Sequence, residues 1–301
     1  MRSDDGDQAE GLRRLLVSNQ PRVITVVAGK AGVGRTSATI NLAAALVRSG
    51  KDVLVLDENP GPNNLLYQLG LSKRHDLLDF ARGKCELGDA VSRPDGYMVV
   101  SAARAMHALA QMRDSEQQRI EDALAELGGS ADVLLVDAAM LGGNGGVVSA
   151  SLSDDASVLV LVDATATGIT ESYAMIKRMA LENARMRFEI VVNRVGGDKE
   201  AKAVFGNMAS VARRHLAARL EYLGFVPSDA KLKRATQLGR SVVDAFPGAD
   251  AAQSYLALAQ KILSLPVGRG EAEGGFERMI RGLIRQVRHG QIDVAERAIP
   301  V

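Results

Sequence analysis

The chain has 301 residues, 47% hydrophobic and 24% charged, with a formal net charge of +1, which describes an ordinary soluble globular protein holding one large α/β domain with appendages or two small ones. The near-zero net charge favours neither a nucleic-acid nor a membrane partner, and 4% aromatics with no tryptophan weakens a base-stacking platform. Its single cysteine, Cys85, excludes an intrachain disulfide and any Cys₄ metal or iron–sulfur site within one chain.

Residues 1–20 read as a polar arm. Its start, MRSDDGDQAEG, is too acidic for a signal peptide, and no apolar run approaches the roughly 20 residues of a transmembrane helix. The expectation is a cytoplasmic protein unless something anchors it peripherally. Leu12, Leu15 and Leu16 give the arm a mild helical pattern, and Pro21 separates it from the first strand. That strand (Val23, Ile24, Val26, Val27) feeds the loop Gly29-Lys30-Ala31-Gly32-Val33-Gly34-Arg35-Thr36, and a helical pattern opens with Ser37. Strand, GxxxxG-basic-hydroxyl loop, then helix is the context of a phosphate-binding loop: glycines let N–H groups turn inward on an anion, and the helix N-terminus adds partial positive charge. A glycine-rich bend with no ligand is the alternative. The expected lysine of that motif is here Arg35.

Further strands are predicted at 52–57 (DVLVLD), 132–137 (DVLLVD), 157–163 (SVLVLVD), 188–193 (FEIVVN) and 222–226, with a weaker one at 97–101. Helical patterns lie at 37–49, 104–127, 169–184, 198–219 and 249–263. Strands alternating with helices of this length predict a doubly wound, mostly parallel sheet flanked by helices. Asp57, Asp137, Asp163 and Asn193 end their strands where open α/β sheets place ligands, although each would also serve as a helix cap.

The expected organisation is an arm at 1–20, a nucleotide-binding domain at 21–265, a glycine-rich linker at 266–275, a helix at 276–289 and a tail at 290–301. In that last helix Phe276, Met279, Ile280, Leu283, Ile284 and Val287 form one apolar face, and Arg278, Arg281, Arg285 and Arg288 fill the rest. Such a tethered cationic helix suits an anionic membrane surface; packing back on the domain or on a partner is the alternative.

A triphosphate at the loop needs Mg²⁺ and groups that orient an attacking water. Thr36 would bind the metal directly, Asp137 would hold it through water, and Asp57 is a third carboxylate facing the same region. Asn59 stands where a water-aligning carboxylate would suit; it can hydrogen-bond but carries no charge.

These residues resemble the MinD/ParA family of P-loop ATPases with a deviant Walker A motif, K-G-G-V-G-K-T. The loop from Gly29 to Ser37 would then bind ATP with Mg²⁺. Lys30 would be the extra lysine that reaches across an ATP-sandwiched homodimer to the partner's phosphates. The Leu56-Asp57-Glu58-Asn59 run resembles the D-x-D switch, Asn193 in VVNRV the asparagine that recognises adenine, and Pro227 in FVPSD a neighbour of the same ring. Ile169–Lys177 (ITESYAMIK) resembles the helix after the fourth motif. Within the family the similarity is greatest to the FlhG (FleN) branch, MinD-like regulators of flagellar number and placement. There the Asp7-Gln8-Ala9-x-x-Leu12-Arg13 pattern implies an arm that stimulates an FlhF-like GTPase, with Gln8 helping to order water in the partner's site. The helix at 276–288 implies membrane targeting at the inner face of the cell membrane, and flagellar basal-body or transcriptional components are further partners the resemblance allows.

The chain also departs from the family. Ala31 replaces a glycine, Arg35 replaces the loop lysine with a planar fork, and Asn59 replaces the second acid of D-x-D. Ala138-Ala139-Met140 replaces the usual switch II residues, and Val162–Gly168 lacks the usual prolines and glutamate. The expectation is nucleotide binding with slow or absent ATP hydrolysis. Competing readings are a non-hydrolysing scaffold and a partition protein gripping DNA through Arg213, Arg214, Arg219, Lys231, Lys233 and Arg234; solvated basic helices account better for those residues, so nucleic acid is disfavoured.

Overall fold

A computed structural model of the chain describes residues 21–266, apart from 73, 142–145, 148, 150–156, 183–186 and 217, together with Met279. The arm with Gln8, the linker and all of 276–289 except Met279 lie outside the described residues. Eight strands form one sheet: β1 (Arg22–Ala28), β2 (Val53–Asp57), β3 (Val91–Ser92), β4 (Met98–Ser101), β5 (Val133–Asp137), β8 (Ser157–Asp163), β9 (Arg187–Val195) and β10 (Arg219–Pro227), in the spatial order β10-β9-β8-β1-β5-β2-β4-β3. Two short strands, β6 (Met140–Leu141) and β7 (Gly146–Val147), make a separate antiparallel ribbon. Every pairing in the large sheet is parallel except β3 with β4.

The continuous apolar runs of β1, β2, β5 and β8 are buried on both faces, as parallel strands covered by helices require. On one face Ile24, Val26, Leu159 and Leu161 pack with α1 (Arg35–Arg48) and, through Tyr255, Leu258 and Ile262, with α11 (Asp250–Ser264). On the other, Val27, Val160 and Val192 meet Met175 and Met179 of α7 (Ala166–Glu182) and Met208 of α8 (Asp198–His215), while Leu54, Leu134 and Val136 meet Ile120 and Leu124 of α6 (Asp114–Gly129).

Short helices missing from the sequence reading fill the connections: α2 (Leu65–Gln68), α3 (Leu77–Ala81), α4 (Leu87–Ala90), α9 (Ala230–Gln237) and α10 (Val242–Ala245). At one or two turns they are too short to show a period of 3.6. The predicted helix at 104–127 is in fact two, α5 (Ala103–Ala108) and α6, joined by a 3₁₀ turn at Leu109–Gln111. The break is a capping device. Arg113 is extended, its N–H donates to Glu116 Oε2 at 3.0 Å, and Gln117 Nε2 donates back to Leu109 O at 3.0 Å. The helix predicted to reach 219 stops at His215, because Arg219 already belongs to β10.

Met279 was expected on the membrane-facing side of the terminal helix. It is wholly buried instead, in the cluster that contains Leu54, Leu56, Val100 and Leu124. A flexible thioether fills such a gap in a core well, so this side chain meets a lipid surface only after leaving the core.

Candidate functional site

Parallel register brings the polar strand ends together: Asp57 lies beside Asp137, and Asp163 beside Asn193. The phosphate loop leaves β1 between the two pairs. Gly29 is required there, because a Cβ would stand 2.3 Å from the backbone N of Ser172 on α7, so loop and helix touch through their backbones. Gly34 caps α1 with φ +101°, a left-handed conformation a side chain would strain. Ala31 and Gly32 are exposed, Val33 is buried, and Ser37 is half-buried in the first turn of α1.

Asp137 is the hub. It is fully buried and accepts from Arg35 Nε at 2.7 Å, from Thr36 Oγ1 at 2.7 Å and, more distantly, from Thr39 Oγ1 at 3.4 Å. Arg35 spends only Nε on this ion pair, leaving the two terminal nitrogens of its fork uncommitted to Asp137. Asp57 accepts N–H groups from Asn59 at 3.0 Å and Leu65 at 2.9 Å. Burial, and then the charge of Asp137, push its carboxyl up to about 7 in spite of those bonds and of Arg35. Two neighbouring carboxylates, one of them bonded to the Thr36 hydroxyl, make a hard oxygen donor set, and a divalent cation there would relieve the repulsion between Asp57 and Asp137. The residues therefore fit Mg²⁺.

Asn59 does not stand free to align a water. Its Oδ1 accepts from Gly61 N at 3.1 Å, and its Nδ2 points to Thr36 Oγ1 at 3.4 Å, so it stiffens the loop after β2 and leans on the Thr36 hydroxyl. Asn193 ties β9 to the phosphate loop: Nδ2 donates to Val33 O at 2.8 Å, and Oδ1 accepts from Arg194 N at 3.0 Å. Pro227 ends β10 beside Val195, on the same side of the sheet end as Asn193. Lys30 reaches the start of α7, its Nζ lying 3.1 Å from Thr167 Oγ1 and 3.4 Å from Thr165 Oγ1.

Several residues escaped the sequence reading. Thr39 gave a signal, since it sits one helical turn after Thr36. Glu58 is buried at 1% exposure and its Oε2 faces Ala139 N at 3.4 Å, joining the loops after β2 and β5. Arg194 adopts φ +60° and reaches Asp163 Oδ2 at 3.4 Å. Thr165 and Thr167 lie in the segment already marked as departing from the family pattern.

Residues 24–242 match the model of the CobQ/CobB/MinD/ParA nucleotide binding domain. The chain belongs to the MinD/ParA family. Within this family it is 33% identical to the antiactivator FleN of Pseudomonas aeruginosa over 264 residues, 86% of this chain and 94% of FleN, which places it in the FleN/FlhG branch. The flagellum site-determining protein YlxH of Helicobacter pylori is 26% identical over 71% of the chain and 72% of its own length. Among solved structures, MinD of Aquifex aeolicus shares the fold with a TM-score of 0.63 at 22% identity, over 82% of this chain and 100% of that one. MinD of Pyrococcus horikoshii, solved with Mg-ADP, follows at 0.59 and 21%, over 81% and 96%. A MinD/ParA phosphate loop on a mostly parallel sheet is thus what the geometry and the comparisons both give.

Proposed function

We propose that this protein is an ATP-binding switch that regulates flagellar number and placement, forming an ATP-dependent homodimer and hydrolysing ATP slowly. The observation that carries the reading is the convergence of Arg35, Thr36, Asp57 and Asp137 at the mouth of the phosphate loop. The loop N–H groups and the uncommitted nitrogens of Arg35 would hold the phosphates, with Thr36, Asp57 and Asp137 around Mg²⁺. That ion, when bound, neutralises phosphate charge. Asn193 is compatible with adenine as the base: with Val33 O and Arg194 N satisfied, its amide retains one N–H and one lone pair, which the adenine amino group and an adjacent ring nitrogen complement.

Slow turnover follows from two features of this chain. Asn59 offers no charge to a water and is engaged with Gly61 and Thr36. The Arg35–Asp137 pair must yield part of its closed geometry before phosphate and metal share the site. The relatives' names, an antiactivator FleN and a flagellum site-determining protein, support the flagellar role. The arm carrying Gln8 would act on an FlhF-like GTPase. The C-terminal helix would serve the inner membrane surface once Met279 has left the core, and the boundaries at 20, 265 and 275 separate these parts. The test is a strain in which Arg35→Ala replaces the wild-type residue, with calorimetry showing lost ATP binding in the purified variant. Flagella per cell should then match those of a strain lacking the protein. A wild-type count with ATP binding abolished would remove the nucleotide switch from the account.

A further inference from the structure

The environment of Lys30 is unlike that of any other cation in the site. Because Gly29 is pressed against the backbone of Glu171 and Ser172, the next residue leaves the loop beside the start of α7. Its ammonium meets two neutral hydroxyls, Thr167 Oγ1 at 3.1 Å and Thr165 Oγ1 at 3.4 Å, which are themselves 3.4 Å apart. The turn holds the Thr165 hydroxyl in place, and the Thr167 hydroxyl lies against it. Thr165 N donates to Asp163 Oδ1 at 3.2 Å, and Thr165 Oγ1 accepts from Gly168 N at 3.1 Å. The one carboxylate of the turn, Asp163, is directed to Arg194 Nη1 at 3.4 Å rather than to Lys30. The ammonium also sits at the N-terminal end of a 17-residue helix, where the macrodipole repels positive charge.

We propose that Thr165 and Thr167 are positioning residues for Lys30. Their hydroxyls give the ammonium a defined resting place in the free monomer, weak enough for a phosphate of nucleotide bound to a second copy of the chain to withdraw it. The proposal rests on the ATP-dependent dimer of the preceding section for its consequence, though not for the resting place itself. A carboxylate at this turn would hold Lys30 as an ion pair and oppose its transfer. Two hydroxyls fix direction without competing with a triphosphate, whose charge makes the stronger hydrogen bonds.

The test uses Thr167, whose hydroxyl is bonded only to Lys30 and Thr165 among the described residues, so its removal spares the cap on Gly168. Three variants of the full chain are compared: Thr167→Val removes the hydroxyl at nearly constant shape, Thr167→Ser keeps it, and Thr167→Glu adds a carboxylate in the first turn of α7, where acids favour the helix. Acylation of Lys30 by an amine reagent, read by peptide mass spectrometry on nucleotide-free protein, reports the resting place alone. Thr167→Val should label about two- to five-fold faster, Thr167→Glu at least about two-fold slower, and Thr167→Ser as wild type. Sedimentation with ATP and Mg²⁺ reports the consequence. With two lysines per dimer, Thr167→Val should tighten the dimer on the order of four- to twenty-five-fold and Thr167→Glu should weaken it by a similar factor. Labelling unaltered by Val and Glu overturns the resting place. So does a dimer weakened by Val or tightened by Glu, since the hydroxyls would then serve the dimer and not the monomer. Shifted labelling with no ATP-dependent dimer in any protein, wild type included, supports the resting place and overturns the dimer reading instead.

Discussion

Lys30 and Arg35 stand at the two ends of one loop, and the fold treats them in opposite ways. Arg35 is 9% exposed, tied at 2.7 Å to a carboxylate that has no exposure at all, with Thr36 on the other oxygen of that carboxylate. Lys30 is half-exposed and, among the described residues, its ammonium bonds to the hydroxyls of Thr165 and Thr167. Charge-assisted bonds in a low-dielectric interior are strong and unforgiving, whereas an ammonium against neutral oxygens beside water is held weakly. The loop therefore has a fixed end that shapes the site within one chain and a loose end that, in the proposed dimer, would reach another chain. A latch needs both.

The largest expected effect lies at the fixed end. Arg35→Ala leaves Asp137 buried without its cation and should cost about 3–5 kcal/mol of nucleotide-free stability in urea unfolding. A loss near zero would mean that the Arg35–Asp137 pair does not hold the empty site.

Asp57 gives the next effect, through pH. Its folded-state pKa, about 7, lies above the ordinary aspartate value of 3.8, so the folded chain binds this proton more tightly than the unfolded chain does. The sign follows: the proton's stabilisation is present at low pH and is lost as pH rises from about 4 to about 7, on the order of a few kcal/mol. Thermal unfolding in a chelator, without nucleotide, should show that decline, and Asp57→Asn should flatten it. An Asp57→Asn profile that falls as steeply as wild type would place the titration elsewhere.

A rate comes third. Asn59→Asp returns a charge to the loop after β2 and should raise ATP turnover on the order of tenfold, equivalent to about 1.4 kcal/mol. Unaltered turnover at intact ATP affinity would remove Asn59 from the account of the proposed slow hydrolysis.

The smallest effect belongs to the loose end. Lys30→Met should change monomer stability by less than about 1 kcal/mol, because only exposed hydrogen bonds to neutral groups are lost. A cost matching that of Arg35→Ala would erase the contrast between the two ends.

Much of this arrangement was legible in the chain itself. The runs VLVLD, VLLVD and VLVLVD read as buried parallel strands, and parallel register sets the terminal Asp57 beside Asp137 and Asp163 beside Asn193. The loop from Gly29 to Thr36 announced itself by its glycines. What could not be read was who pairs with whom across the fold. Arg35 is separated from Asp137 by 102 positions, and Lys30 from Thr165 by 135, so both pairings depend on where the sheet order places the loops. The helix break at Leu109 was hidden by an apolar pattern that continues through it, and the cap in which Arg113 N–H donates to the Glu116 carboxylate starts a new helix at Asp114. Met279 shows the same limit: an amphipathic face announces that it will be buried, and says nothing about whether protein or lipid buries it.

One measurement tests the central claim most directly: the solution mass of the wild-type chain and of Lys30→Ala by light scattering, with ATP and Mg²⁺ or with ADP, alongside ATP affinity by calorimetry. The account expects wild type to double its mass with ATP but not with ADP, and Lys30→Ala to bind ATP while remaining a single chain. A wild-type mass unchanged at saturating ATP, or a Lys30→Ala protein that doubles as readily as wild type, would contradict it.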